Sequence, residues 1–254
     1  AAAFLVKGFF AGGGILLPFG FGQGTGQALN YGKMYETDFG FVGGTTWGLT
    51  IATVGFIAAS GVGVTYLNIL RKKGKLKLHS KEGIEHTLED YVSEGEIPVT
   101  ESVDKFTLQA GFVALAYALS FAFMCLLGAL SAFTNSIAWG FNFLWASLAA
   151  MLIKAGIKVL RKGKLMNREY INNYQMDRIS GFAFDIMIVA GVAAIEINDI
   201  KNYILPIIIL SVLGAILTYA YIRLATKECF RGFEHEMFLM SFGTLTGTAS
   251  NGVI

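Results

Sequence analysis

Between Phe106 and Ile153 the chain carries no charged side chain. Few folds accept a run of that length. A helical bilayer crossing takes roughly 20 residues, so the stretch exceeds one crossing and predicts a hairpin of two, turning at Thr134-Asn135-Ser136. Further apolar runs at Ile179 to Ile195 and Tyr203 to Ile222 are each long enough to cross. The composition agrees: 54% of residues are hydrophobic, mean hydropathy is +0.56, and only 15% are charged, against roughly a quarter in ordinary soluble domains. The runs lack the two-residue alternation of barrel strands, so the expected class is an all-α, polytopic membrane protein.

Five crossings are expected, at about 42–70, 106–133, 137–160, 179–197 and 203–223, with Pro206 tolerated in the first turn of the last. All 20 lysines and arginines except Lys7, Lys33 and Lys201 then fall on one side. By the positive-inside rule that side is the cytoplasm, and the 42–70 span runs inward. Residues 71–105, basic at first (RKKGKLK) and acidic later (EGIEHTLEDYVSEGEIP), read as a cytoplasmic linker between a first unit, 1–70, and a second, 106–254. His79 and His86 lie in that linker at a spacing that matches no metal pair. The apolar start, without a basic leader, and an end inside a glycine-rich motif predict a piece of a longer protein. Cys125 and Cys229 have no spacing that suggests a disulfide framework or a zinc site.

The second informative feature is a repeat. Phe21-Gly22-Gln23-Gly24-Thr25-Gly26-Gln27-Ala28-Leu29-Asn30 aligns without a gap on Phe242-Gly243-Thr244-Leu245-Thr246-Gly247-Thr248-Ala249-Ser250-Asn251. Five crossings separate the copies, and an odd number places them on opposite faces, which is the mark of an inverted-topology repeat. Each copy is too glycine-rich to cross as a helix. The expectation is two re-entrant glycine-rich hairpins, at about 7–32 and 235–254, with the first copy as a returning arm after an interruption at Pro18. Backbone of that kind is tolerated at membrane depth only where protein or a watery cavity surrounds it. Glycines admit close approach and positive φ, half-helix N-termini favour a carboxylate, and neutral oxygens suit a hard cation such as sodium. Candidate substrate and ion residues are therefore Gln23, Gly24, Thr25, Gly26, Asn30, Thr244, Thr246, Gly247, Thr248, Ser250 and Asn251, with Thr25, Thr246 and Asn251 as candidate sodium ligands. Close helix packing is the competing use of such small residues, and it is the expected use of Gly44, Gly48 and Ala52.

Asp185 is a candidate for ion coupling, since a carboxylate inside a span is costly; a bland pairing with Arg178 is the alternative. Glu196 and Asp199 read as interfacial, and Glu234, His235 and Glu236 as flanks of the second hairpin. Neither a nucleotide-binding GxGxxG or P-loop pattern nor a potassium-filter run is present, and no catalytic side-chain set emerges, so no enzyme is expected.

With these motifs placed, the chain resembles the sodium/glutamate symporter family. The likeness is carried by GFGQGTGQALNYG and GLTIATVGFIAASGVGVTYL, and by ISGFAFDIMIVAGVAAIEI and SFGTLTGTASNG. Members that carry glutamate tend to a GGHGTGAAW-like first motif, where this chain has Gln23 and Gln27, and the second motif lacks the family's GFGLGATPTA wording. The resemblance implies sodium-coupled symport of glutamate or a related anionic amino acid or dicarboxylate across the cytoplasmic membrane. It implies no cofactor beyond the coupling ion and no nucleic-acid partner. A passive anion channel, an exporter of another carboxylate and a homodimeric assembly stay open.

Overall fold

A computed structural model of the chain describes residues 10–74, 104–166, 168–201 and 203–247. The fold is helical. A 3-10 turn, Ala11–Ile15, leads into α1 (Leu16–Phe39), followed by α2 (Gly44–Lys72), α3 (Lys105–Gly128), α4 (Ala132–Gly140), α5 (Asn142–Lys162), α6 (Asn173–Ala193), the single turn α7 (Ile197–Ile200), α8 (Ile204–Cys229) and α9 (Glu234–Thr246). Helices α2, α3, α5 and α8 are long and apolar enough to cross a membrane. The protein is therefore read as a helical membrane protein. Helix α6, where a fifth crossing was expected, carries Asp177, Arg178 and Asp185 and does not join that group.

Two compact units form, one from Ala1–His79 with Ala183–Ile254, the other from Ser80–Phe182. Compactness thus follows a different division from the one drawn in the sequence at the linker.

In the second unit α3 packs on α5, with α4 between them in the chain. Asp104 caps α3, its carboxylate accepting the Thr107 hydroxyl at 2.7 Å and the Thr107 amide at 2.8 Å. Those two bonds, the hydroxyl's first, hold its carboxyl below the usual carboxylate range. The turn expected at 134–136 comes earlier, at Ala129–Ser131. The reason is local: the Ser131 and Thr134 side chains each satisfy the other's backbone amide in a capping box, so Thr134-Asn135-Ser136 is already helical.

In the first unit α2 is the central element. Its start is wrapped by aromatic rings: Trp47 lies 5.7 Å from Tyr203 and 6.1 Å from Phe41, ring centre to ring centre. Its other end carries Arg71 and Lys72. Helix α8 runs parallel to it, from Tyr203 beside Trp47 to Tyr219, which shares Phe238 with Tyr66. Pro206 sits in the first turn of α8, as expected.

Helix α1 is helical at every position but Gly24, whose φ of 73° and ψ of −163° break it into two arms. A straight helix would separate Phe19 from Tyr31 by about 18 Å along its axis, yet their rings stack at 4.0 Å. The arms therefore fold back on one another at Gly24. Pro18 is not the interruption, because it falls in the first turn of α1, where a missing amide costs no helical bond. The arms are also not irregular coil. Only Gly24 leaves helical geometry, so the first motif copy spans the bend and the start of the returning arm, which is helical.

Candidate functional site

The arms of α1 are fixed to α2 by small residues. A Cβ on Gly32 would fall 2.5 Å from the Gly44 carbonyl oxygen, one on Gly44 would fall 2.7 Å from that of Gly32, and one on Gly48 would overlap the Ala28 carbonyl. Gly20 lies as tightly on Ala52, at 2.9 Å. Gly44, Gly48 and Ala52 thus serve close packing, as their spacing predicted. In the 3-10 turn that leads into the first arm, the Gly13 carbonyl accepts from the Trp47 indole at 2.9 Å. The first arm therefore descends alongside α2, and the second climbs back antiparallel to it.

Helix α9 arrives from the opposite end. It starts where the Tyr66 hydroxyl and His235 Nδ1 share a 2.8 Å hydrogen bond, near the basic end of α2. It stops at Gly247, whose φ of −121° and ψ of −104° leave the helical region. The two motif copies then meet at one residue, Gly55 of α2. A side chain there would overlap the Thr246 carbonyl and come within 3.1 Å of the Phe21 ring. Phe21 and Phe242, aligned in the two motifs, are both buried, as are Thr25 and Thr246.

The shared threonines make different bonds. Thr25 Oγ1 donates to the Met187 carbonyl of α6 at 3.2 Å, whereas Thr246 Oγ1 donates to Phe242 within its own helix at 2.6 Å. Each hydroxyl spends its proton on a backbone carbonyl, and its oxygen keeps acceptor capacity. In both copies the backbone break adjoins the threonine, at Gly24 just before Thr25 and at Gly247 just after Thr246. Gly26 faces the Met187 sulfur, which lies 3.0 Å from where its Cβ would stand.

The remaining candidates separate. Gln23 is exposed, and Asn30 is half-buried. Thr244 Oγ1 donates back to Met240 at 2.8 Å. Thr248, Ser250 and Asn251 lie outside the described residues. Asp185 is exposed on α6, two residues before Met187. Arg178, its suggested partner, donates instead to the Tyr174 hydroxyl at 2.9 Å.

Three contributors escaped the sequence reading: Gly55, the Met187 carbonyl, and Gly191. A Cβ on Gly191 would strike the Thr25 side chain at 2.6 Å, so this glycine makes room for the threonine. For the two glycines the only signal was small size in apolar helices, which many positions share, and a backbone carbonyl such as that of Met187 leaves none. Beyond Gly55, along α2 toward Tyr66, lies a cavity of about 120 Å³ lined by Ala59, Ser60, Gly63, Val64 and Leu67 with Leu239 and Gly243. The chemistry available is neutral: backbone carbonyls and amides at helix breaks, two buried hydroxyls and a nearby apolar space.

Comparison with known proteins finds no counterpart: no family model, curated protein or solved structure matches the chain.

Proposed function

We propose that the protein is a secondary active transporter that carries glutamate or a related anionic amino acid or dicarboxylate together with sodium across the cytoplasmic membrane. The observation that carries the reading is the meeting of the two motif copies at Gly55. Two helical arms approach that residue from opposite ends of α2 and break beside a buried threonine. Gly55 is about 16 Å along α2 from Gly44 at 1.5 Å per residue, close to the middle of a hydrocarbon layer about 30 Å thick. In this reading both breaks are the tips of re-entrant hairpins related by inverted topology. Their loosened backbone groups receive the substrate carboxylate and the ion, and the hydroxyl oxygens of Thr25 and Thr246 complete the cation's shell. Movement of one tip away from Gly55 opens the site to one side, and movement of the other opens it to the opposite side.

The test is uptake of labelled glutamate, aspartate and dicarboxylates by the full-length protein in proteoliposomes, with and without an inward sodium gradient. Saturable uptake that requires the gradient and shows counterflow is the expected result. Uptake indifferent to sodium removes the coupling, and single-channel currents favour a pore.

A further inference from the structure

Helix α5 has two unlike faces. Toward α3 it turns Ala149, Ile153 and Ile157, which are buried or half-buried. The opposite face is exposed and changes character along its length. It begins apolar, with Leu144 and Met151 at 42 and 66% exposure, flanked by Leu148, which also borders a groove against α3. It continues with Lys154, Lys158 and Lys162, all exposed. Residues four apart on a helix share a face, so these lysines form one stripe about 12 Å long.

The stripe is uncompensated. Helix α5 contains no acidic residue, and none of the three lysines has an ion-pair or hydrogen-bond partner among the described residues. Arg161, one position from the stripe's end, is engaged by Glu169 at 2.5 Å. Around the lysines, Val159 and Leu165 stay 67 and 79% exposed. An acidic protein or a nucleic acid would match the charge but not the exposed apolar surface running straight into it.

We propose that this face of α5 is a binding site for anionic phospholipid. Acyl chains lie along Leu144, Leu148 and Met151, and the headgroup phosphates lie on the lysine stripe, whose butyl stems cross the interface while the ammonium groups stay among the headgroups. The match is of charge to charge and of apolar length to acyl chain on one continuous surface.

The experiment is native mass spectrometry of the full-length protein released from nanodiscs of equal phosphatidylglycerol and phosphatidylcholine, beside the variants K154Q/K158Q/K162Q and K154R/K158R/K162R. The wild type is expected to retain phosphatidylglycerol preferentially. The glutamine variant should lose that preference by about fivefold per lysine, and the arginine variant should keep it. Raising the salt to about 0.5 M should weaken it in the wild type. Equal retention of the two lipids by the wild type overturns the proposal, as it would if the acidic half of segment 71–105 covered the stripe. An unchanged preference in the glutamine variant overturns it as well.

Discussion

At the scale of single residues, the two shared threonines separate structure from ligand binding. The Thr25 hydroxyl bridges two helices, so Thr25→Val removes an interhelical bond, and a loss of about 1 kcal/mol is expected. Among the described residues the Thr246 hydroxyl bonds only within its own helix, so Thr246→Val should leave stability nearly unchanged. Thermal unfolding in detergent measures the difference, and uptake measured on the same samples shows whether either oxygen serves the cargo. A fall in uptake for Thr246→Val without a fall in melting temperature assigns its hydroxyl to the ion; normal uptake in both variants removes both from the site. The glycines divide as cleanly. Gly24 occupies a backbone region open almost only to glycine, and Gly24→Ala should cost about 1–3 kcal/mol. Gly22 is helical with nothing within 4 Å of its missing Cβ, so Gly22→Ala should be neutral or gain up to about 1 kcal/mol. Comparable melting temperatures for the two variants would mean that the tip is not where the geometry puts it.

At the scale of elements, the sequence made the spans legible because membrane helices are written in long apolar runs. The observed Gly44–Lys72 and Ile204–Cys229 overlap the expected 42–70 and 203–223, starting one or two residues later. The turn between α3 and α4 was misplaced because Thr134 and Asn135 look like turn residues, and only the mutual capping of Ser131 and Thr134 reveals a helix start. The motif pair was also legible, but its internal geometry was not. Several glycines could have broken α1: Gly20 and Gly32 are held against α2 and Gly26 faces Met187, but Gly22 makes no such contact and stays helical, so these contacts alone do not select Gly24. Packing along α2 is selective. Gly55→Leu should drive the α9 end and Phe21 away from it, while Gly61→Ala and Gly63→Ala, whose added atoms meet nothing within 4 Å, should be tolerated. Monodispersity on size exclusion and uptake of the three variants provide the comparison.

At the scale of the whole molecule, the aromatic start and basic finish of α2 and the parallel course of α8 imply that both helices end on one side of the membrane. In a Cys125→Ala background, a membrane-impermeant maleimide should reach the exposed Cys229 from the side that holds Arg71 and Lys72 and not from the other. Labelling in sealed right-side-out and inverted vesicles reads this directly, and reaction from the opposite side would reverse the orientation. The function stays less legible than the fold, because long-range contacts such as Gly191 beneath Thr25 leave no mark in the local sequence. The bare backbone at Gly55 has a mechanical consequence. Two arms reach that notch from opposite ends of one rigid rod, so an axial slide of α2 would draw it toward the root of one arm and away from the root of the other. In the proposed transport cycle the rod would work as a see-saw between two latches, each release tightening its counterpart.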